Sequence, residues 1–342
     1  MKIAISVFAS FLLWCTAVQA QQPFYKGKTI TIIVGTKAGD VYDLYPRMLS
    51  DYLTKYIPGN PNVIIQNVPG AASLIAANQV YNVAKPDGLT IGAIYPALYF
   101  EQLIKRPEVK FEWTKFGWIG STVTSNHLMY MRSDTKYKTF DDVHKSSTAP
   151  KCGATGVTST GYYMPKLVEE TTGAKFGIVS GYVSGQDIDL AVERGEIQCR
   201  AFTLTAYFAR EPFITWRKKN FAHVLFQTGQ KRDRRVEGSP TIYELMDKYK
   251  TPEGARRLAK VILASGEFGR PLVTPPGVPA DRLKILRDAF DKSVNDPAIK
   301  ADAERRRLEM DPAGGAELES LAKEVMSVPP DVVQRVQQLL GK

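Results

Sequence analysis

Short apolar runs alternate with polar turns and amphipathic stretches along most of the chain. Residues 28–35 (KTITIIVG) form a β-branched run ending in glycine and read as a buried strand. A loop follows (Thr36-Lys37-Ala38-Gly39-Asp40), then a segment with Leu44, Met48, Leu49, Tyr52, Leu53 and Tyr56 on one helical face, closed by Pro58-Gly59. Residues 63–66 (VIIQ) are a second strand. Asn67-Val68-Pro69-Gly70 turns it into a small-residue helix over 71–81, and Pro86-Asp87-Gly88 leads to a third strand over 89–94. This β-α-β-α-β order implies parallel strands with helices on the sheet faces.

The pattern restarts in the middle of the chain. Residues 152–156 read as strand, 164–172 as a helix stopped by Gly173, and 176–180 as strand. Residues 187–194 read as a helix with Gly195 after it, and 197–204 as strand. A stretch over about 118–132 joins the two units, which predicts a bilobal α/β molecule. The last third turns helical, over 253–263, 280–294, 297–308 and 331–340, punctuated by Pro275-Pro276-Gly277 and Pro329-Pro330.

Composition changes this picture little. The 342 residues are 44% apolar and 23% charged, with 26 Gly and 21 Pro scattered rather than clustered. That excludes a disordered or low-complexity chain and allows two sizeable cores. The formal charge is +10. Over residues 210–237, eight Lys/Arg stand against three acidic residues, and a solvated basic face is the ordinary explanation. Affinity for nucleic acid, with its steep salt dependence, is the competing one, and export argues against it.

Residues 1–20 read as a secretory signal: Lys2 is the only charge, an apolar stretch follows, and Ala17-Val18-Gln19-Ala20 suits cleavage after Ala20. The apolar run is too short for a stable membrane anchor. Bulky Trp14 before Cys15 argues against lipidation. Cleavage loses only Lys2, leaving +9, and also removes Cys15, leaving Cys152 and Cys199. Both lie near strand starts with one strand–helix unit between them. They are a disulfide in an oxidising compartment or two buried small side chains.

No GxGxxG, P-loop, HExxH or CxxC motif is present, so nothing calls for a nucleotide, metal or other cofactor. Residues 156–161 (GVTSTG) resemble a nucleophile elbow, but Ser159 lacks the glycine two positions earlier. His127, His144 and His223 have no partner motif. A secreted hydrolase using Ser159 or a histidine remains the enzymatic alternative, and needs a base within about 4 Å of that serine.

What recurs is a strand followed by a small-residue loop that opens a helix, over 36–42, 67–72 and 155–161. At the carboxyl ends of parallel strands such loops present N–H groups and helix dipoles that favour anions. Thr36, Lys37, Ala38, Gly39, Gly70, Ala71, Ala72, Thr158, Ser159 and Thr160 are the candidate ligand contacts from these loops. Thr158, Ser159 and Thr160 offer hydroxyls to a carboxylate or cap the following helix. Asp43 is a helix-start carboxylate or an acceptor that shapes the ligand loop. Tyr42, Tyr95, Tyr182 and Phe202 stand at the same loop ends, as ligand wall or as core.

These loops carry a resemblance. The chain resembles a solute-binding receptor of the tripartite tricarboxylate transporter family over nearly all of residues 24–342. The family's Pro-Gly-Gly loop, Asp and Ala-Arg are matched by one Gly (Gly39), Asp43 and Arg47, and its Asn-Arg-Pro-Gly-Ala by Asn67-Val68-Pro69-Gly70-Ala71. Pro86-Asp87-Gly88, Gly153-Ala154-Thr155-Gly156-Val157-Thr158-Ser159, and the stretch from Gly181-Tyr182 to Gly195-Glu196-Ile197-Gln198 also fit. So do Pro240-Thr241 with Glu244, and Pro275-Pro276-Gly277-Val278-Pro279. Asp40 departs from the family's second Gly, and Thr251-Pro252-Glu253-Gly254-Ala255-Arg256-Arg257 replaces its usual Trp-Gly stretch.

The resemblance implies a type II-like periplasmic-binding-protein fold, α/β and two-lobed, each lobe a mostly parallel sheet flanked by helices. Residues 24–124 and 236–342 would form the first lobe with the C-terminal helices, and 125–235 the second, with the cleft between them. It implies a monomeric periplasmic receptor, not an enzyme. A small carboxylate, an aromatic acid among the candidates, would be held by amides, hydroxyls and water, with hinge closure. The partners are then membrane transporter subunits, or a sensor if the protein presents its ligand for signalling.

Overall fold

The computed structural model describes residues 22–157 and 159–340. The proposed signal segment and its cleavage point after Ala20 lie outside the described residues, as does Thr158. Eleven strands are present among them: β1 (Thr29–Val34), β2 (Asn62–Asn67), β3 (Thr90–Ala93), β4 (Gly117–Ser121), β5 (His127–Arg132), β6 (Lys151–Ala154), β7 (Gly177–Ser180), β8 (Cys199–Thr203), β9 (Ala222–Gln227), β10 (Pro271–Thr274) and β11 (Ala313–Gly314). They form two sheets, ordered β11-β4-β10-β3-β1-β2 and β7-β6-β8-β5-β9. Each sheet is the heart of one lobe, with helices on its faces. No helix among the described residues is long and apolar enough to cross a membrane.

The two-lobed α/β architecture is the expected one, and the sheets are mixed. β1 pairs in parallel with β2 and β3, and β6 with β7 and β8, as strand–helix–strand connections require. Antiparallel pairing enters with strands that arrive by other routes. β10 returns between β3 and β4, and β5 lies between β8 and β9. The expectation of mostly parallel sheets is corrected to this extent: crossing between lobes reverses the chain direction.

Several elements follow from local chemistry. Asp40 caps the helix Val41–Tyr56 by accepting the Tyr42 N–H at 2.9 Å, and Tyr45, Met48, Leu49 and Leu53 bury its inner face. Thr241 and Glu244 form a reciprocal capping box on the helix Ile242–Lys248. The helix expected from residue 71 starts at Leu74 instead. Ala71, Ala72 and Ser73 have φ of 45°, 50° and 73°, a left-handed turn that side chains adopt only under strain. The helix Gly315–Met326 escapes the sequence reading because it opens on glycine, although Leu318, Ala322 and Val325 are its buried stripe.

Cys152 and Cys199 are register partners on β6 and β8 and are joined as a disulfide across a Cα separation of 4.4 Å. Part of the basic run over 210–237 is paired. Arg232 bonds Glu244, Arg235 bonds Asp233 and Glu309, and Arg217 lies over the rings of Tyr207 and Phe208.

Candidate ligand cleft

The carboxyl ends of β1, β2, β3, β6, β7 and β8 all open on one cleft between the lobes. Its inner chamber has a volume of about 120 Å³ and is lined from the first lobe by Asp40, Tyr42 and Tyr95 and from the second by Ser159, Thr160, Arg200, Phe202 and Arg210. A wider mouth of about 660 Å³ continues outward past Thr36, Lys37, Ala38, Gly70, Ala71, Ala72 and Tyr182. Tyr95, Thr155, Gly185 and Gln186 border both. The carboxyl edge of each parallel core is where an α/β fold presents its ligand loops.

The first loop is shaped by Asp43. Its carboxylate is buried and lies outside the cleft lining, as does Gly39. It accepts the Gly39 N–H at 2.8 Å, Arg47 Nε at 2.7 Å and Asn67 Nδ2 at 2.8 Å, and Asn67 also donates to the Thr36 carbonyl at 2.9 Å. Burial pushes the Asp43 pKa up, but the bonds from Arg47, Asn67 and Gly39 outweigh it and hold the group below its ordinary value. Of the two roles open to Asp43, the geometry serves loop shaping. The neighbouring Thr36 hydroxyl is buried at the cleft mouth and has no hydrogen-bond partner among the described residues.

The loop after β2 carries the left-handed turn. Its Ser73 Oγ accepts the Tyr95 N–H at 3.2 Å, so the ends of β2 and β3 are tied together. The Tyr95 ring meets Tyr42 with centroids 4.4 Å apart, and burial raises both hydroxyls above their ordinary pKa. These two rings form the first-lobe wall of the chamber.

In the second lobe, Ser159 occupies the N-cap position of the helix Thr160–Thr172, yet its hydroxyl donates to the Gly156 carbonyl at 2.6 Å. It tightens the loop instead of capping the helix. Thr160 Oγ1 lies 3.2 Å from the Tyr163 hydroxyl. The helix therefore opens into the chamber at Ser159, Thr160 and Gly161 with its positive dipole end.

Sequence reasoning missed the cations. Arg200, on β8, donates to Asp189 at 2.6 Å and to the Gly185 carbonyl at 2.9 Å, and its guanidinium lies 4.7 Å from the Phe202 ring centre. Burial works against its charge, and Asp189 with Tyr130 more than restores it. Arg210 Nη1 stands 3.9 Å from Asp40 across the cleft. The available signal was an arginine inside the otherwise apolar strand Cys199–Thr203.

The histidines sit apart from Ser159's partners. His144 bonds the Thr172 carbonyl and stacks on Tyr249, His223 lies 3.5 Å from Ser133, and His127 is buried with its pKa pushed down to about 3, first by burial and then by Arg270. Among the described residues no group of His, Cys, Asp and Glu is arranged to hold a metal.

No protein-family model and no curated protein matches the sequence. Solved structures do match. A TctC solute-binding protein from Polaromonas superposes with a TM-score of 0.64 at 19% identity, covering 92% of this chain and 98% of that one. The periplasmic binding protein BugD gives 0.69 at 16%, covering 92% and 98%. MatC from Rhodopseudomonas palustris, solved with bound malate, gives 0.67 at 15%, covering 92% and 99%. At these identities the likeness is one of fold: the two-lobed fold of TctC and Bug solute-binding proteins.

Proposed function

We propose that this protein is an extracytoplasmic solute-binding receptor that captures a small carboxylate between its lobes and delivers it to a tripartite tricarboxylate-type membrane carrier. The observation that carries this reading is the convergence of six strand-end loops, a helix N-terminus and two guanidinium groups on one inter-lobe cleft. Anion-favouring donors on both lobes give a bound carboxylate a reason to hold the lobes closed. The malate in the MatC relative supports the same ligand class.

In this reading the Thr36 hydroxyl, the loops at 36–38, 70–72 and 158–160 and the Arg200 guanidinium supply donors, while Tyr42, Tyr95, Tyr182 and Phe202 enclose the ligand's carbon frame. The chain acts as an exported monomer after cleavage at Ala20, and its closed surface is read by membrane subunits. Hydrolysis by Ser159 is disfavoured by the partners of His144 and His223, neither of which is that serine.

The test is a thermal-shift screen of the mature protein against carboxylates, amino acids, sugars and amines, followed by calorimetry. A native-state ligand must raise Tm. The expected result is a stabilising hit among small mono-, di- or tricarboxylates, aromatic acids included. Stabilisation by a sugar or amine with none by any carboxylate overturns the reading.

A further inference from the structure

Behind the cleft wall lies a second, enclosed space. The helix Glu253–Phe268 is joined to β10 by Gly269 and Arg270, which press against the segment that leads from β4 into β5. Gly269 has φ of 59°, and a Cβ there would collide with the Val123 carbonyl oxygen. This close approach sets Arg270 into the junction between the lobes, where it is 4% exposed.

Arg270 is anchored by its own N–H to Ser121 Oγ at 2.8 Å, and by Nη1 to Ser125 Oγ at 2.9 Å and the Gly269 carbonyl at 3.3 Å. Its guanidinium lies 3.9 Å from the ring centre of Tyr42 and 5.7 Å from that of Tyr45. Nε and Nη2 have no hydrogen-bond partner among the described residues, and no ion pair to Arg270 occurs among them. The Thr122 hydroxyl is also buried, with no partner among the described residues.

Arg270 and Thr122 line the same cavity, otherwise walled by Tyr42, Tyr45 and apolar side chains, with room for one water-sized body. A buried charge with two free N–H donors carries a heavy desolvation cost unless it is paired. Water can accept from both donors but leaves the charge uncompensated. A carboxylate, phosphate or sulfate is too large. A monatomic anion accepts both N–H groups and the hydroxyl and neutralises the site.

We propose that this cavity is a halide site, in which a chloride-sized anion is held by Nε and Nη2 of Arg270 and by the Thr122 hydroxyl. It is separate from the ligand cleft, with the Tyr42 ring between the two, and does not depend on the carboxylate reading. The bound ion completes the electrostatics of the inter-lobe junction and so stabilises the folded chain by linkage.

The test uses the full mature chain. Crystals soaked in sodium bromide should give an anomalous peak beside Arg270 Nε and Nη2. Tm in sodium chloride or bromide should exceed that in sodium methanesulfonate of equal ionic strength, whose polyatomic anion is too large for the cavity, by about 2–4 °C. The halide increment should vanish in Arg270→Met and shrink in Thr122→Val, which keeps the guanidinium and so guards against a variant that fails to fold. A peak without anomalous signal, showing water, overturns the proposal. So does a halide increment that is absent in the parent or unchanged in both variants.

Discussion

Asp40 and Arg210 face each other at 3.9 Å across the inner chamber of the cleft, the carboxylate from the first lobe and the guanidinium from the second. Asp40 also caps the helix Val41–Tyr56. It stands where a glycine is usual in the family that the sequence resembles. It therefore places a negative charge beside the site proposed for a carboxylate and occupies a cation that such a ligand would use.

Replacing that charge separates its two roles. Asp40→Asn keeps a competent helix cap and frees Arg210. Affinity for a carboxylate ligand should rise about fivefold at low salt, and the gain should fade as ionic strength increases. Titration calorimetry at two salt concentrations checks this, and equal affinity in parent and variant at low salt refutes it.

Arg200 is the cation expected to touch the ligand. Removing it alone leaves Asp189 buried with one partner, the Tyr130 hydroxyl at 3.0 Å. The cleaner variant is Arg200→Gln with Asp189→Asn, which keeps the charge balance. Carboxylate affinity should fall about tenfold or more while the far-ultraviolet spectrum is unchanged. A variant that is folded and binds normally removes Arg200 from the site.

Asp43 ties loop geometry to acid stability. Its folded pKa lies below the ordinary 3.8, so its contribution is present above about pH 4 and is lost as pH falls through the folded value. Asp296, held down to about 2 by Lys55, the Ala298 N–H and Tyr56, acts in the same direction. Tm should therefore fall between about pH 4 and 2. Asp43→Asn should cost about 2 kcal/mol at pH 7, roughly 3–6 °C in Tm, and flatten part of that acid limb. An acid limb of parental steepness in the variant excludes the role.

The disulfide closes 47 positions of chain. Constraining the unfolded state across such a loop contributes about 4 kcal/mol in the chain-entropy description. Denatured mature protein should show free thiols only after reduction, and Cys152→Ala with Cys199→Ala should lower Tm clearly. Two free thiols in unreduced, freshly purified protein would contradict the pairing.

The parallel cores and their loops were legible because each carries its own local signature: a β-branched run, a small-residue turn, then an amphipathic face. Thr36, Ala71 and Thr160 were found that way. Arg210 was not, because it reads as part of a solvated basic run, and neither were Arg200 and Arg270, because a lone arginine in a sequence reads as surface. Only the pairing of β8 with β5 and β6, and the return of β10, turn these side chains inward. The antiparallel strands were missed for a related reason. β4, β5 and β9 owe their extended form to distant partners, which short-range periodicity does not report.

The position of β10 between β3 and β4 also bears on how the chain matures. Residues up to 121 hold four strands of the first sheet, yet their central gap is filled only by residues 271–274. The second sheet is continuous in sequence, from β5 to β9. As the polypeptide emerges end first, the later-made lobe can complete its sheet while the earlier-made one waits, its edges unpaired, for a segment some 150 residues downstream. Such long-range closure is slow and leaves strand edges exposed to aggregation. The N-terminal third of this molecule is thus the part with most need of protection before it is whole.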